Sequence, residues 1–387
     1  MTGALSCSTK NKIDVERSME NGVEVVLNHQ QPYTVPGHPF VLELEEELVI
    51  DTEDEAVANT GLTDIGSLGS NAVEADAEGS IYLLCPQASE GQILKFTSDG
   101  IFVTSFAPRG QGPGEFEAVS FFTVYPGPDG EDEISVAQQS TGKVALFRTD
   151  GTLITERKAE SALKYVRRLK DTRFLIWTHV LDASGEFLMK HPLLITDNDF
   201  QLISELDVQN VPNPMSGERM KGFYYILSWA VSGDQIFTGF QDRDYEIRVY
   251  DADGRLVRLI RKDYRGVPVP EDHKQAFMSQ FESPMFDSIR DKIYFPETMP
   301  PFIGFISDED GRLFVLTYEE GNNPGEKMVD VFDGSGVFVG RRSLRLDSDE
   351  FGVHARIKNG RFYSVEEKEN GFKRLVVSRI RLTLPQF

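Results

Sequence analysis

Seven side chains are of types that bind ligands: Arg109, Glu115, Arg167, Trp177, Tyr224, Tyr225 and Trp229. Tyr and Trp present a flat apolar face and a polar tip, which suits sugar or peptide ligands. The same rings also serve as wedges between packed layers, and the residue types alone leave both roles open. Arg167 and its neighbour Arg168 would either meet an anionic ligand or balance an acidic excess. Arg109 and Glu115 belong to the glycine-rich run Arg109-Gly110-Gln111-Gly112-Pro113-Gly114-Glu115-Phe116. A nucleotide loop needs Gly-x-Gly-x-x-Gly, or a terminal Gly-Lys-Ser/Thr, between a strand and a helix. Here the glycines alternate, Pro113 removes an amide donor, and no helical pattern follows. The run therefore reads as a tight linker in which glycine supplies positive φ at little steric cost.

Aspartate-rich turns raise the question of calcium. They include Asp129-Gly130-Glu131-Asp132, Asp251-Ala252-Asp253-Gly254 and Asp308-Glu309-Asp310-Gly311. Calcium needs six to eight converging oxygens, and none of these runs continues to the terminal Glu of an EF-hand loop. Hairpin turns select Asp-Gly for backbone reasons alone, so the turn reading is preferred and no cofactor is expected. A central channel where separated carboxylates converge is the one place calcium would fit. The six histidines, His29, His38, His179, His191, His273 and His354, show no His-Glu-x-x-His spacing. No Gly-x-Ser-x-Gly nucleophile elbow is present. Cys85 ends an apolar strand and reads as a buried structural thiol.

The elements that must position these residues follow from composition and repetition. The chain has 387 residues, 40% hydrophobic and 26% charged, which is a globular profile. Gly (33) and Pro (19) supply enough turns for many short strands. With 40 Lys+Arg against 62 Asp+Glu, the net charge is -22, which argues against nucleic acid or an anionic membrane surface as partner. Two cysteines cannot form a disulfide framework or a four-cysteine zinc site. No apolar run is long enough for a membrane-spanning helix.

A unit of four short strands recurs. In its first copy, residues 72–84 give two strands about an Asp/Gly turn, followed by Gln92–Phe96, the Ser98-Asp99-Gly100 turn and Ile101–Phe106. First strands fall near residues 72, 121, 166, 227, 303 and 352. A propeller blade of four strands takes roughly 40–50 residues. A blade cannot bury both faces alone, so blades stack round an axis until the ring closes. The expected fold class is all-β, a six-bladed β-propeller spanning 23–387. The sixth copy has three clear strands, so either Phe40–Leu44 or Glu47–Ile50 must complete it and remove an open edge. The wide gap before the fifth copy is an insertion, 263–301, whose Pro270-Glu271-Asp272-His273 reads as a helix start.

The Arg109–Phe116 run, leading into a first strand, resembles the linker of NHL-type repeats. The run Phe295-Pro296-Glu297-Thr298-Met299-Pro300-Pro301-Phe302, followed by Asp310–Val315, is similar to bacterial six-bladed β-propeller lipoproteins. The resemblance covers roughly residues 40–383 and implies an extracytoplasmic NHL-like propeller. Ala4-Leu5-Ser6-Cys7 resembles in part the end of a lipoprotein signal, with Cys7 as the lipidated residue and residues 1–22 as a signal remnant and disordered tether. The charged and apolar regions of such a signal would then lie upstream of Met1. The alternative is an ordinary polar N-terminus with a chance Cys, and a cytoplasmic protein. The functional expectation is a periplasmic or cell-surface module binding a protein, peptide or glycan, attached to the membrane through Cys7 alone. The competing expectation is a metal-dependent hydrolase or lyase with its site in the central channel. Fold does not choose between them.

Overall fold

In the computed structural model the apolar runs of the repeats become strands buried on both faces. Ile81–Leu84, Phe121–Tyr125 and Phe174–Thr178 are buried at every position. Outer strands alternate instead, as in Leu153–Lys158, where every second residue is exposed. The difference follows from position: an inner strand has a neighbouring blade on each side, whereas an outer strand has solvent at its rim. The structure describes residues 15–66, 72–88, 90–159, 163–169, 173–213, 219–223, 225–346, 348–349 and 352–385.

Six sheets of four antiparallel strands, some carrying extra strands, form the blades of a β-propeller. Their inner strands are Val73–Ala75, Phe121–Pro126, Leu163–Arg168, Leu227–Ser232, Gly304–Ser307 and Ala355–Lys358. The hydrophobic core lies between blades. Separate apolar clusters join blades six and one, one and two, two through four, four and five, and five and six.

The ring closes as expected. Val41–Asp51 pairs antiparallel with Lys373–Thr383 and supplies the outer strand of blade six. The two candidate segments lie on this one strand, joined through a bulge between Glu46 and Leu48. The Glu45-Glu46-Glu47 run at their junction broke the apolar pattern because this strand is the rim of its sheet. Glu47 there meets Arg361 at 3.0 Å and pairs also with Arg379.

The hairpin Glu16–Glu20 and Val23–Asn28 was not expected. Val23–Asn28 adds parallel to Leu256–Lys262, the outer strand of blade four. The stretch read as a tether through Gly22 therefore joins the fold at Glu16. Its polar exposed strand hid the signal, since all five of its residues face solvent. Asn28 anchors the addition. Its side-chain amide donates to the carbonyls of Arg261 (3.2 Å) and Gly336 (3.0 Å), and its Oδ1 accepts from the Phe338 amide at 2.8 Å. Cys7 lies outside the described residues.

The insertion forms the helix Glu271–Ser279, a 3-10 turn Pro284–Phe286 and a one-turn helix Asp287–Arg290. Acidic residues Glu271 and Asp272 occupy the first turn of the long helix, where its dipole favours them. Phe277, Phe281, Ile289 and Met220 make a small core beneath it. The insertion leaves the outer strand of blade four and returns to the inner strand of blade five. It therefore sits at the end of the ring where inner strands begin.

Candidate functional site

The side chains at the C-terminal ends of the inner strands, together with the turns that follow, surround an axial chamber of about 780 Å³. All six blades contribute, so the chamber is a product of ring closure. It lies at the end of the ring opposite the insertion. Its volume falls within the range of small-molecule sites, roughly 300–1,000 Å³.

Tyr165 and Trp229, each third along its strand, form the aromatic floor of the chamber. Their rings meet edge to face with centroids 5.5 Å apart, and Tyr165 also packs on Phe121 at 4.4 Å. Burial pushes the Tyr165 phenol up, while the Arg167 guanidinium beside it pulls the other way. Tyr125 lines the same chamber, and burial raises its phenol far above the ordinary range.

The charged lining is balanced, which is unusual for so acidic a chain. Arg167, Arg168, Arg356 and Lys358 face Glu74, Asp234, Asp308 and Glu309. The cations come from blades three and six, the carboxylates from blades one, four and five. Three of the cations have carboxylate partners: Arg168 with Glu133 at 2.8 Å, Arg356 with Glu74 at 3.2 Å, and Lys358 with Asp132 at 3.8 Å. Among the described residues no carboxylate pairs with Arg167.

The carboxylates of the aspartate turns serve their own backbones. Asp308 Oδ1 accepts from the amides of Asp310 and Arg312, each at 3.0 Å, and its Oδ2 pairs with the Arg312 guanidinium. Asp251 repeats the arrangement with Asp253 (3.0 Å) and Arg255 (2.9 Å). These are side-chain-stabilised turns. Among the described residues no group of three or more His, Cys, Asp or Glu side chains converges as a metal site.

The structure separates the seven sequence candidates. Arg167 and Trp229 line the chamber. Trp177 is buried one layer behind, 4.6 Å from Trp229, and is not part of the lining. Lys164 lies over its ring at 4.7 Å, and His191 meets it edge-on at 5.4 Å. Tyr225 packs with Phe223, Val269 and Met299 under the insertion, at the other end of the ring. Tyr224 lies outside the described residues. Arg109 is exposed in the linker between blades one and two and donates to the Pro86 carbonyl at 2.5 Å. Glu115 accepts from the Gly112 amide at 2.9 Å, and Gly114 takes φ of +72°. That run thus folds as a backbone-satisfying linker, away from the chamber. Cys85 is fully buried, 3.9 Å from the Thr63 hydroxyl.

Sequence reading did not single out Tyr165, Glu74 or Arg356. The usable signal was positional, because each sits inside the first strand of its repeat. Two histidines form a further polar feature at the insertion end. His179 follows the strand Phe174–Thr178, His191 lies on its partner strand Phe187–Thr196, and their ring centroids are 6.3 Å apart. Burial, with Lys164 nearby, holds both rings' basicity below normal, His191 to about 4.

No family model matches the sequence, and no curated protein is recognisably similar to it. Solved structures similar in fold include a gluconolactonase from Xanthomonas campestris, at 13% identity over 91% of this chain and 98% of that chain, TM-score 0.40. A catalytically inactive virginiamycin B lyase from Staphylococcus aureus matches at 10% identity, over 90% and 89%, TM-score 0.36. Regucalcin from Agrobacterium tumefaciens, a calcium-binding protein, matches at 10% identity, over 84% and 97%, TM-score 0.35. These likenesses transfer no activity to this chain.

Proposed function

We propose that this protein is a ligand-binding β-propeller that holds a molecule of metabolite size in its axial chamber. The carrying observation is the chamber itself: about 780 Å³, built by all six blades, with an aromatic floor and a charge-balanced wall. Such a mixture of apolar faces and a few placed polar groups is the usual composition of a ligand site. The reading keeps the non-catalytic role and the extracytoplasmic, Cys7-anchored location suggested by the sequence. Support for the location is the Ala4–Cys7 segment and the NHL-like linker at Arg109–Phe116.

The test is a ligand-observed NMR screen of a metabolite collection against the wild type and Ala230→Trp. Ala230 lines the chamber, so an indole there occupies the space. Binders of the wild type should be lost in Ala230→Trp while its thermal melt stays cooperative. Binders retained by that variant, or none found at all, would overturn the reading.

A further inference from the structure

This inference rests on the reading of the chamber as a ligand site and specifies what enters it. We infer that the ligand carries an oxyanion, a carboxylate or phosphate, attached to a flat ring, with the oxyanion on Arg167 and the ring against Trp229.

Three of the four cations in the wall are already satisfied. Arg168, Arg356 and Lys358 each have a carboxylate within 3.8 Å. On the acidic side, Asp308 is matched by Arg312, and Glu309 accepts from the Asn359 amide at 2.8 Å. Arg167 differs. Its guanidinium lies beside the neutral hydroxyls of Tyr165 and Tyr125, and among the described residues no carboxylate pairs with it. A half-buried guanidinium loses hydration without gaining a counter-charge, so an entering anion is favoured there over any other lining position. Its planar fork matches carboxylate and phosphate alike.

The position of the ring follows from the strand. Tyr165 and Arg167 are two residues apart and so share one side of the inner strand of blade three. Tyr165 touches Trp229. Trp229, Tyr165 and Arg167 therefore run in series, from the aromatic floor toward the cation. A ligand with a flat face at one end and an oxyanion at the other satisfies both ends of that series. Phosphate alone would use only the second.

The experiment titrates benzoate, phenyl phosphate and the neutral isostere benzamide into the full chain, read by protein-observed NMR. It compares the wild type with Arg167→Gln and Arg109→Gln. The second variant removes the same charge from the exposed linker and controls for long-range electrostatics. Benzoate or phenyl phosphate should bind the wild type at least tenfold more tightly than benzamide. Arg167→Gln should weaken the anions at least fivefold and leave benzamide unchanged, and Arg109→Gln should match the wild type. Which anion binds more tightly identifies the headgroup. Equal binding of benzoate, phenyl phosphate and benzamide, or equal loss in both variants, would overturn the inference while leaving the chamber a ligand site. Absence of binding by all three probes, with the metabolite screen also empty, would overturn the chamber reading and this inference with it. Thermal melts of both variants, expected within a few degrees of the wild type, exclude unfolding as the cause.

Discussion

Asp207, on the outer strand of blade three, holds Arg243, in a turn of blade four, through two contacts of 2.6 Å each. The carboxylate is nearly inaccessible and also accepts from the Thr238 hydroxyl at 2.9 Å. A buried charge left without its partner is strongly destabilising, whereas removing both is far milder. Arg243→Ala should therefore cost about 3 kcal/mol. The double variant Asp207→Leu with Arg243→Ala should cost less than the sum of the single changes. Urea unfolding of the four proteins measures the coupling, and additivity would show that the pair is not a latch between blades.

Asn28 is expected to be a second such latch. Three hydrogen bonds from one buried amide tie the N-terminal hairpin to blades four and five. Asn28→Ala leaves the Phe338 amide and two carbonyls to find other partners, at a cost of roughly 2–3 kcal/mol. Hydrogen exchange should show Val23–Asn28 opening before the ring does. Equal protection of the hairpin and the blades in the variant would contradict this.

Acid should weaken the protein through His191. Its basicity falls from 6.5 in the unfolded chain to about 4 in the folded one. Above pH 6.5 both states are neutral at this ring and it contributes no slope. Between pH 6.5 and 4 the unfolded chain takes up the proton first, so stability falls as pH falls. The limit is about 3 kcal/mol, complete below pH 4. Replacing His191 by Gln should flatten the pH dependence of the melting temperature across that window. An unchanged slope would assign the effect to other groups.

The chain has two tryptophans, and their rings lie 4.6 Å apart, one lining the chamber and one behind it. Entry of a ring-bearing ligand should therefore change tryptophan emission. Trp177→Phe should retain the response to benzoate, and Trp229→Phe should lose it. A response that persists in Trp229→Phe would place the ligand away from the chamber floor.

The architecture was legible in the sequence because each blade is built from local signals. Apolar runs, Asp-Gly turns and their sixfold recurrence specify strands and hairpins within a few residues, as at Val73–Ala75 and Ile81–Leu84. The missing strand of the last copy even announced that an N-terminal segment must close the ring. The chamber was not legible in this way. Arg167 and Trp229 were visible as residue types, but Glu74 and Arg356 lie 282 residues apart in the chain and meet only when blade six reaches blade one. The docking of Val23–Asn28 on blade four was equally hidden, since a parallel pairing between distant strands leaves no mark at turn distance. Sequence by itself determined the blades, through hydrogen bonds and burial patterns that span a few residues. Tertiary structure alone decided which side chains share the axis and which charge there has no carboxylate partner among the described residues, because both depend on the closed ring.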